Sequence, residues 1–127
     1  MLKRLLPPRW YYRYERYVKT RRMMKQFGLS NPKHAREMGY WVDCHEEEGG
    51  RFNNDWYERL MLAIAAEPDA SFVAGKVVAD FGCGPRGSLC WATGARRRIG
   101  IDVLASVYRR TFDLGDQQME YMASTET

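Results

Sequence analysis

The sequence predicts an α/β protein, a parallel sheet preceded by N-terminal helices, and three observations carry that prediction. From Gly75 onward, short β-branched runs alternate with helix-length segments: KVVADFG, GSLCWATGA, RRIGID, VLASVYRRTF and MEYMAST. Strand, helix, strand, helix, strand is the order that a parallel sheet needs for its crossovers. Gly82, Gly84 and Gly87 fall in G-x-G-x-x-G spacing between the first run and the segment after it. Upstream, in residues 1–70, apolar side chains recur at helical spacing instead. The predicted division is therefore 1–70, a basic helical lid, and 71–127, a sheet domain.

The helices come first. Pro7-Pro8 opens and Gly28 closes a segment in which Tyr11, Tyr14, Val18, Met24 and Phe27 repeat among arginines, predicting a long first helix. Ser30 or Asn31 caps a second, short helix with Pro32 in its first turn. DCHEEEGGRFNND is polar and glycine-rich, hence a loop. Asp55 is placed to cap a third helix, WYERLMLAIAAE, with Trp56, Leu60, Met61 and Ile64 on an apolar face and Pro68 beyond its end. KVVADFG then reads as a strand buried on both faces. GSLCWATGA reads as a helix stopped at Gly94, RRIGID as a second strand, VLASVYRRTF as a helix with Val103, Val107 and Tyr108 on one side, and MEYMAST as a third strand.

Composition excludes several classes. The 127 residues are one domain's worth, and 45% hydrophobic with 28% charged residues is ordinary for a globular protein. No apolar run is long enough to span a bilayer, and MLKRLLPPRW holds no signal-peptide core, so a cytoplasmic location without membrane contact is expected. Cys44, Cys83 and Cys90 show no CxxC spacing, which indicates free thiols rather than a disulfide framework or zinc ribbon. The net charge of +4 is strongly segregated. Residues 1–36 carry +10, residues 37–70 carry −7 and residues 71–127 carry +1.

The glycine loop carries the chemistry. Glycines allow a tight turn and a close approach of backbone to a ligand, and Asp102, ending the second strand, is positioned to accept hydrogen bonds from ribose hydroxyls. A dinucleotide such as NAD or FAD puts its pyrophosphate at such a loop and wants N–H donors there. Asp80 would repel that phosphate and Pro85 removes one donor, although Arg86 argues the other way. S-adenosylmethionine has an adenosine but no phosphate, and its sulfonium and ammonium would be drawn to a carboxylate.

VVADFGCGPRGSLCWA followed by RRIGIDVLASVY resembles motif I and the next strand of class I S-adenosylmethionine-dependent methyltransferases, a Rossmann-like family that typically reads vLDxGCGxG and then vxGiD. The resemblance runs from Lys76 onward and implies a function, methyl transfer, but no acceptor. It implies that Asp80 and the backbone of Phe81, Gly82, Cys83 and Gly84 hold the methionine end. It further implies that Gly87 permits close approach, that Asp102 holds the ribose, and that Val103 or Leu104 lies against the adenine. Where relatives end the third strand in an acid that reads the adenine amino group, the nearest residues here are Ser124 and Glu126. The family's sheet has seven strands, with a fourth strand pairing with the first, so this chain corresponds to the front half and is expected to be truncated at its C-terminus. The bare edge of the first strand would then be open to self-association. A small-molecule acceptor is expected in preference to nucleic acid, and no residue stands out as a catalytic base.

The remaining features have plainer readings. Arg9, Arg13, Arg16, Arg21 and Arg22 interleave with Tyr11, Tyr12, Tyr14 and Tyr17, a pattern that suits nucleic acid or anionic lipid. The preferred reading is an amphipathic lid that packs its tyrosines on the core. The alternative function is a non-catalytic binding module that uses this helix to hold nucleic acid or a protein partner. Cys44-His45 with Glu46, Glu47 and Glu48 lacks metal-ligand spacing and reads as a solvated acidic loop, and His34 has no assigned role. Tyr40, Trp41 and Phe52 are expected as core or lid aromatics, and Cys83 as a small packed side chain rather than a nucleophile.

Overall fold

The computed structural model describes residues 7–124. The chain folds as two compact units, residues 1–47 and residues 48–127, a division that lies ahead of the expected 70/71 boundary.

The first unit is an antiparallel pair of helices, α1 (Pro8–Phe27) and α2 (Pro32–Glu47). Pro8 starts α1, and Gly28, in the left-handed conformation at φ 66°, ends it by donating its N–H to the Met24 carbonyl. Asn31 accepts a 2.9 Å bond from the Lys33 N–H and so caps α2. The helix α2 continues through Asp43 and Cys44 to Glu47, where a loop was expected. That turn is held because Cys44 is buried and Asp43 pairs with Lys19 of α1, and only the positive-φ Gly49 and Gly50 break the chain direction. The core of this unit is small: Thr20 and Met23 from α1 against Ala35, Met38, Gly39 and Cys44 from α2. The tyrosines Tyr12, Tyr14 and Tyr17 are exposed, which corrects the expectation that α1 packs them inward.

The second unit begins with α3 (Tyr57–Ala65), followed by a 3-10 turn at Ala70–Val73. Trp56, not Asp55, occupies the N-cap position and makes no side-chain cap bond; no residue of α3 is buried, and Ile64 is 73% exposed. Three parallel strands follow, β1 (Val77–Phe81), β2 (Arg97–Asp102) and β3 (Glu120–Ala123), in the order β1-β2-β3. This is an α/β fold with a parallel sheet. The crossover from β2 to β3 is α4 (Ala105–Thr111), whose Ala105, Val107 and Tyr108 are buried.

The other crossover is not a helix. Residues 88–96 run through tight turns, with Cys90 N–H on Gly87 O, Ala92 N–H on Leu89 O and Ala95 N–H on Ala92 O. The segment is short and closed by glycines, and burial of Ser88, Leu89 and Ala92 with a Trp91 Nε1–H bond to Ser88 O fixes these turns in place of the helix expected there.

One face of the sheet is covered: Cys83, Ala105 and Tyr121 pack together with Leu114 and Met119. Gly100 makes that packing fit, since a Cβ there would come within 2.7 Å of the Cys83 Sγ. The period-2 alternation and strand register put Val77, Ala79, Phe81, Ile99, Ile101 and Met122 on the opposite face. Phe81 is 78% exposed there, so β1 is not buried on both faces as its composition suggested. Its outer edge pairs with no strand among the described residues.

Candidate functional site

The site lies where β1 ends beside β2. The last rung of their ladder is the Gly82 N–H on the Ile101 carbonyl at 2.7 Å. Gly82, Gly84 and Gly87 then all take positive φ, at 72°, 61° and 80°. An L side chain costs about 1–2 kcal/mol in that region, which accounts for the residue type at each turn. Between them the loop folds back over β2, so that Cys83 to Leu89 are buried while Phe81 and Gly82 stay exposed.

Two carboxylates flank the loop. Asp102, 6% exposed, accepts the Gly84 N–H at 3.1 Å on one oxygen and the Leu104 N–H at 2.9 Å on the other. Asp80, half-buried, accepts the Ser88 hydroxyl. Their joint field is felt at Cys83: burial first, then Asp102 and Asp80, push its thiol up to about 12. That keeps Cys83 a neutral packed thiol, unsuited to nucleophilic work. The two carboxylates, Asp80 and Asp102, flank the loop on its own side, and turns rather than a helix N-terminus follow it.

The far side of the loop is filled by the protein itself. Arg86 makes a two-point pair with Glu48, with Nη1 to Oε2 at 2.7 Å and Nη2 to Oε1 at 2.5 Å, and donates from Nη1 to the Asn53 carbonyl at 3.0 Å. Its guanidinium lies 5.6 Å from the Phe52 ring centre and 5.1 Å from that of Trp56. The Asn54 side chain donates to Arg86 O at 3.0 Å, and the Gln117 amide donates to Pro85 O at 2.7 Å while accepting the Tyr121 hydroxyl. Burial raises the Tyr121 phenol above its ordinary value and so keeps that donor protonated. A Cβ on Gly87 would come 2.8 Å from the Gln117 side chain. The close approach that Gly87 permits is therefore to Gln117 and Asn54. Arg86 likewise is taken up by a half-buried glutamate and two rings, whereas the sequence set it against the repulsion of a phosphate.

The residues singled out from sequence thus separate. Asp80, Gly82, Cys83, Gly84 and Asp102 come together at the strand ends, and a side chain added at Gly82 would meet nothing within 4 Å. Val103 is half-buried beside them, whereas Leu104 is fully buried in the fold. Phe81 points to the exposed sheet face. Ser124 ends β3 by donating its N–H to the Asp102 carbonyl, and Glu126 lies outside the described residues. A cavity of about 380 Å³ opens on the other side, lined by Glu48, Arg51, Asn53, Asp55, Asp113 and Asp116, and includes none of the predicted site residues. Among the described residues no cluster of three or more His, Cys, Asp or Glu could hold a metal ion, and no helix is long and apolar enough to cross a membrane. The Glu48, Asn54 and Gln117 contacts had no sequence signal, since each reaches the loop from more than thirty residues away.

No protein-family model, curated protein or solved structure matches this chain.

Proposed function

We propose that the second unit is the cofactor-binding part of an S-adenosylmethionine-dependent methyltransferase, its three parallel strands corresponding to the first three of a Rossmann-like class I sheet. The observation that carries the reading is the pair of carboxylates, Asp80 and Asp102, converging on a glycine loop at the ends of adjacent parallel strands. An anionic cradle of that kind attracts a cationic nucleoside and repels a pyrophosphate, and the turns at Ser88–Ala95 offer no helix N-terminus to offset the repulsion. NAD and FAD are therefore the poorer fit.

The residues present suit such a group. Asp80 would attract the cationic methionine end, and the open space at Gly82 leaves room beside the backbone of Phe81 to Gly84. Each Asp102 oxygen has one N–H partner and a remaining lone pair, enough to accept from a ribose hydroxyl. Val103 offers apolar surface to the adenine. When bound, S-adenosylmethionine supplies a sulfonium methyl for transfer to a nucleophile. This chain's own contribution is to orient it, and proximity and orientation are the main terms in such catalysis.

Calorimetric titration tests the reading. Wild type is expected to bind S-adenosylmethionine and its demethylated product and to ignore NAD. Asp80→Asn retains the partner for Ser88 but removes the charge, and is expected to weaken binding about tenfold, the scale of one charge-assisted contact. Equal affinity of the variant and wild type, or preference for NAD, would contradict it.

A further inference from the structure

The first unit exposes a surface that the cofactor reading does not use. At about 100° per residue, Trp10, Arg13, Tyr14, Tyr17 and Arg21 fall on one stripe of α1, opposite the buried Met23. Trp10, Tyr14 and Tyr17 are 58%, 49% and 62% exposed. Arg13 lies 5.8 Å from the Trp10 ring centre. Beside the stripe, Arg13, Arg16 and Arg21 of α1 and Arg36 of α2 surround a cleft of about 380 Å³ that Tyr17 also lines and no carboxylate enters. None of these four guanidiniums pairs with a carboxylate among the described residues.

We infer that this face binds single-stranded nucleic acid, with the arginines on phosphates and the exposed rings stacked on bases. Charge complementarity is the first argument: residues 1–36 carry +10, and cations released from a phosphate chain drive binding to such a patch. The interleaving is the second. A duplex would occupy the arginines but leave the rings nothing to stack on, because its bases are already stacked. A helix lying in a membrane segregates an apolar face from a cationic one. Here Arg13 and Arg21 sit within the aromatic stripe, and insertion would bury them.

Fluorescence anisotropy of a labelled 15-nucleotide oligouridine with the full chain tests this independently of the glycine loop. Binding is expected at low salt, with a log–log salt slope of about −2 to −3 for four phosphates on a single strand. The double variant Arg13→Gln, Arg21→Gln should flatten that slope by about 1.4. The double variant Tyr14→Leu, Tyr17→Leu should cost about tenfold or more in affinity with the slope unchanged. All four positions are exposed, and circular dichroism checks that the helices persist. No binding at low salt overturns the inference. So does wild-type affinity of the tyrosine variant, which would indicate simple polyanion attraction, equally served by heparin. Binding to phosphatidylserine vesicles without binding to the oligonucleotide also overturns it.

Discussion

The two sides of the glycine loop are built for different ends. At Arg86–Gly87 the space is packed with Glu48, Phe52, Asn54, Trp56 and Gln117, and the Arg86 guanidinium meets the Glu48 carboxylate, the Asn53 carbonyl and two ring faces. At Gly82 the same backbone conformation recurs, yet nothing lies within 4 Å of where a Cβ would be. One motif thus contains a structural glycine and a glycine beside open space. A sequence pattern specifies backbone conformation; what the conformation is for depends on which neighbours arrive.

Removing the Arg86 anchor should have the largest effect. Arg86→Met leaves the Glu48 carboxylate without its buried partner, and a loss of about 3 kcal/mol in unfolding free energy is expected by urea denaturation. Gly87→Ala comes next, because left-handed backbone and a 2.8 Å clash with Gln117 combine to about 2–3 kcal/mol. Gly82→Ala meets only the backbone cost, about 1 kcal/mol. If the two alanine variants melt together, the packed and open sides are not distinct.

The smallest effect is on pH dependence. Cys83 has a folded-state value raised above the unfolded thiol's 9.0 to about 12 by burial and the flanking carboxylates. Its neutral form is therefore favoured in the native state. Its contribution to stability is complete below pH 9 and declines as pH rises from 9 toward 12. Cys83→Ala should remove that part of the alkaline decline. In native protein at pH 8, a disulfide reagent should modify Cys90, which is only half-buried, before Cys83.

Much of the fold was legible. The ends of α1 follow from Pro8 and Gly28, whose effects are local, and the three strands follow from β-branched runs bounded by glycine and polar residues. Residues 88–96 were misread because helix propensity there yields to tertiary packing: Ser88 bonds Asp80, and Leu89 and Ala92 are drawn inward. The loop's geometry was legible through its glycines, but the fate of Arg86 was not, since its partner stands 38 residues upstream in an acidic run that reads as solvated. The tyrosines of α1 were misread for a related reason. α2 supplies a small core, and Thr20 and Met23 already fill it.

The most direct test is an amide NMR titration of the whole chain with S-adenosylmethionine. The N–H signals of Gly82, Gly84 and Val103 should shift on binding, while those of Arg86 and Gly87 hold still. Shifts centred on Arg86 and Gly87, or no shifts in well-folded protein at millimolar ligand, would contradict the assignment of the open side as the cofactor site.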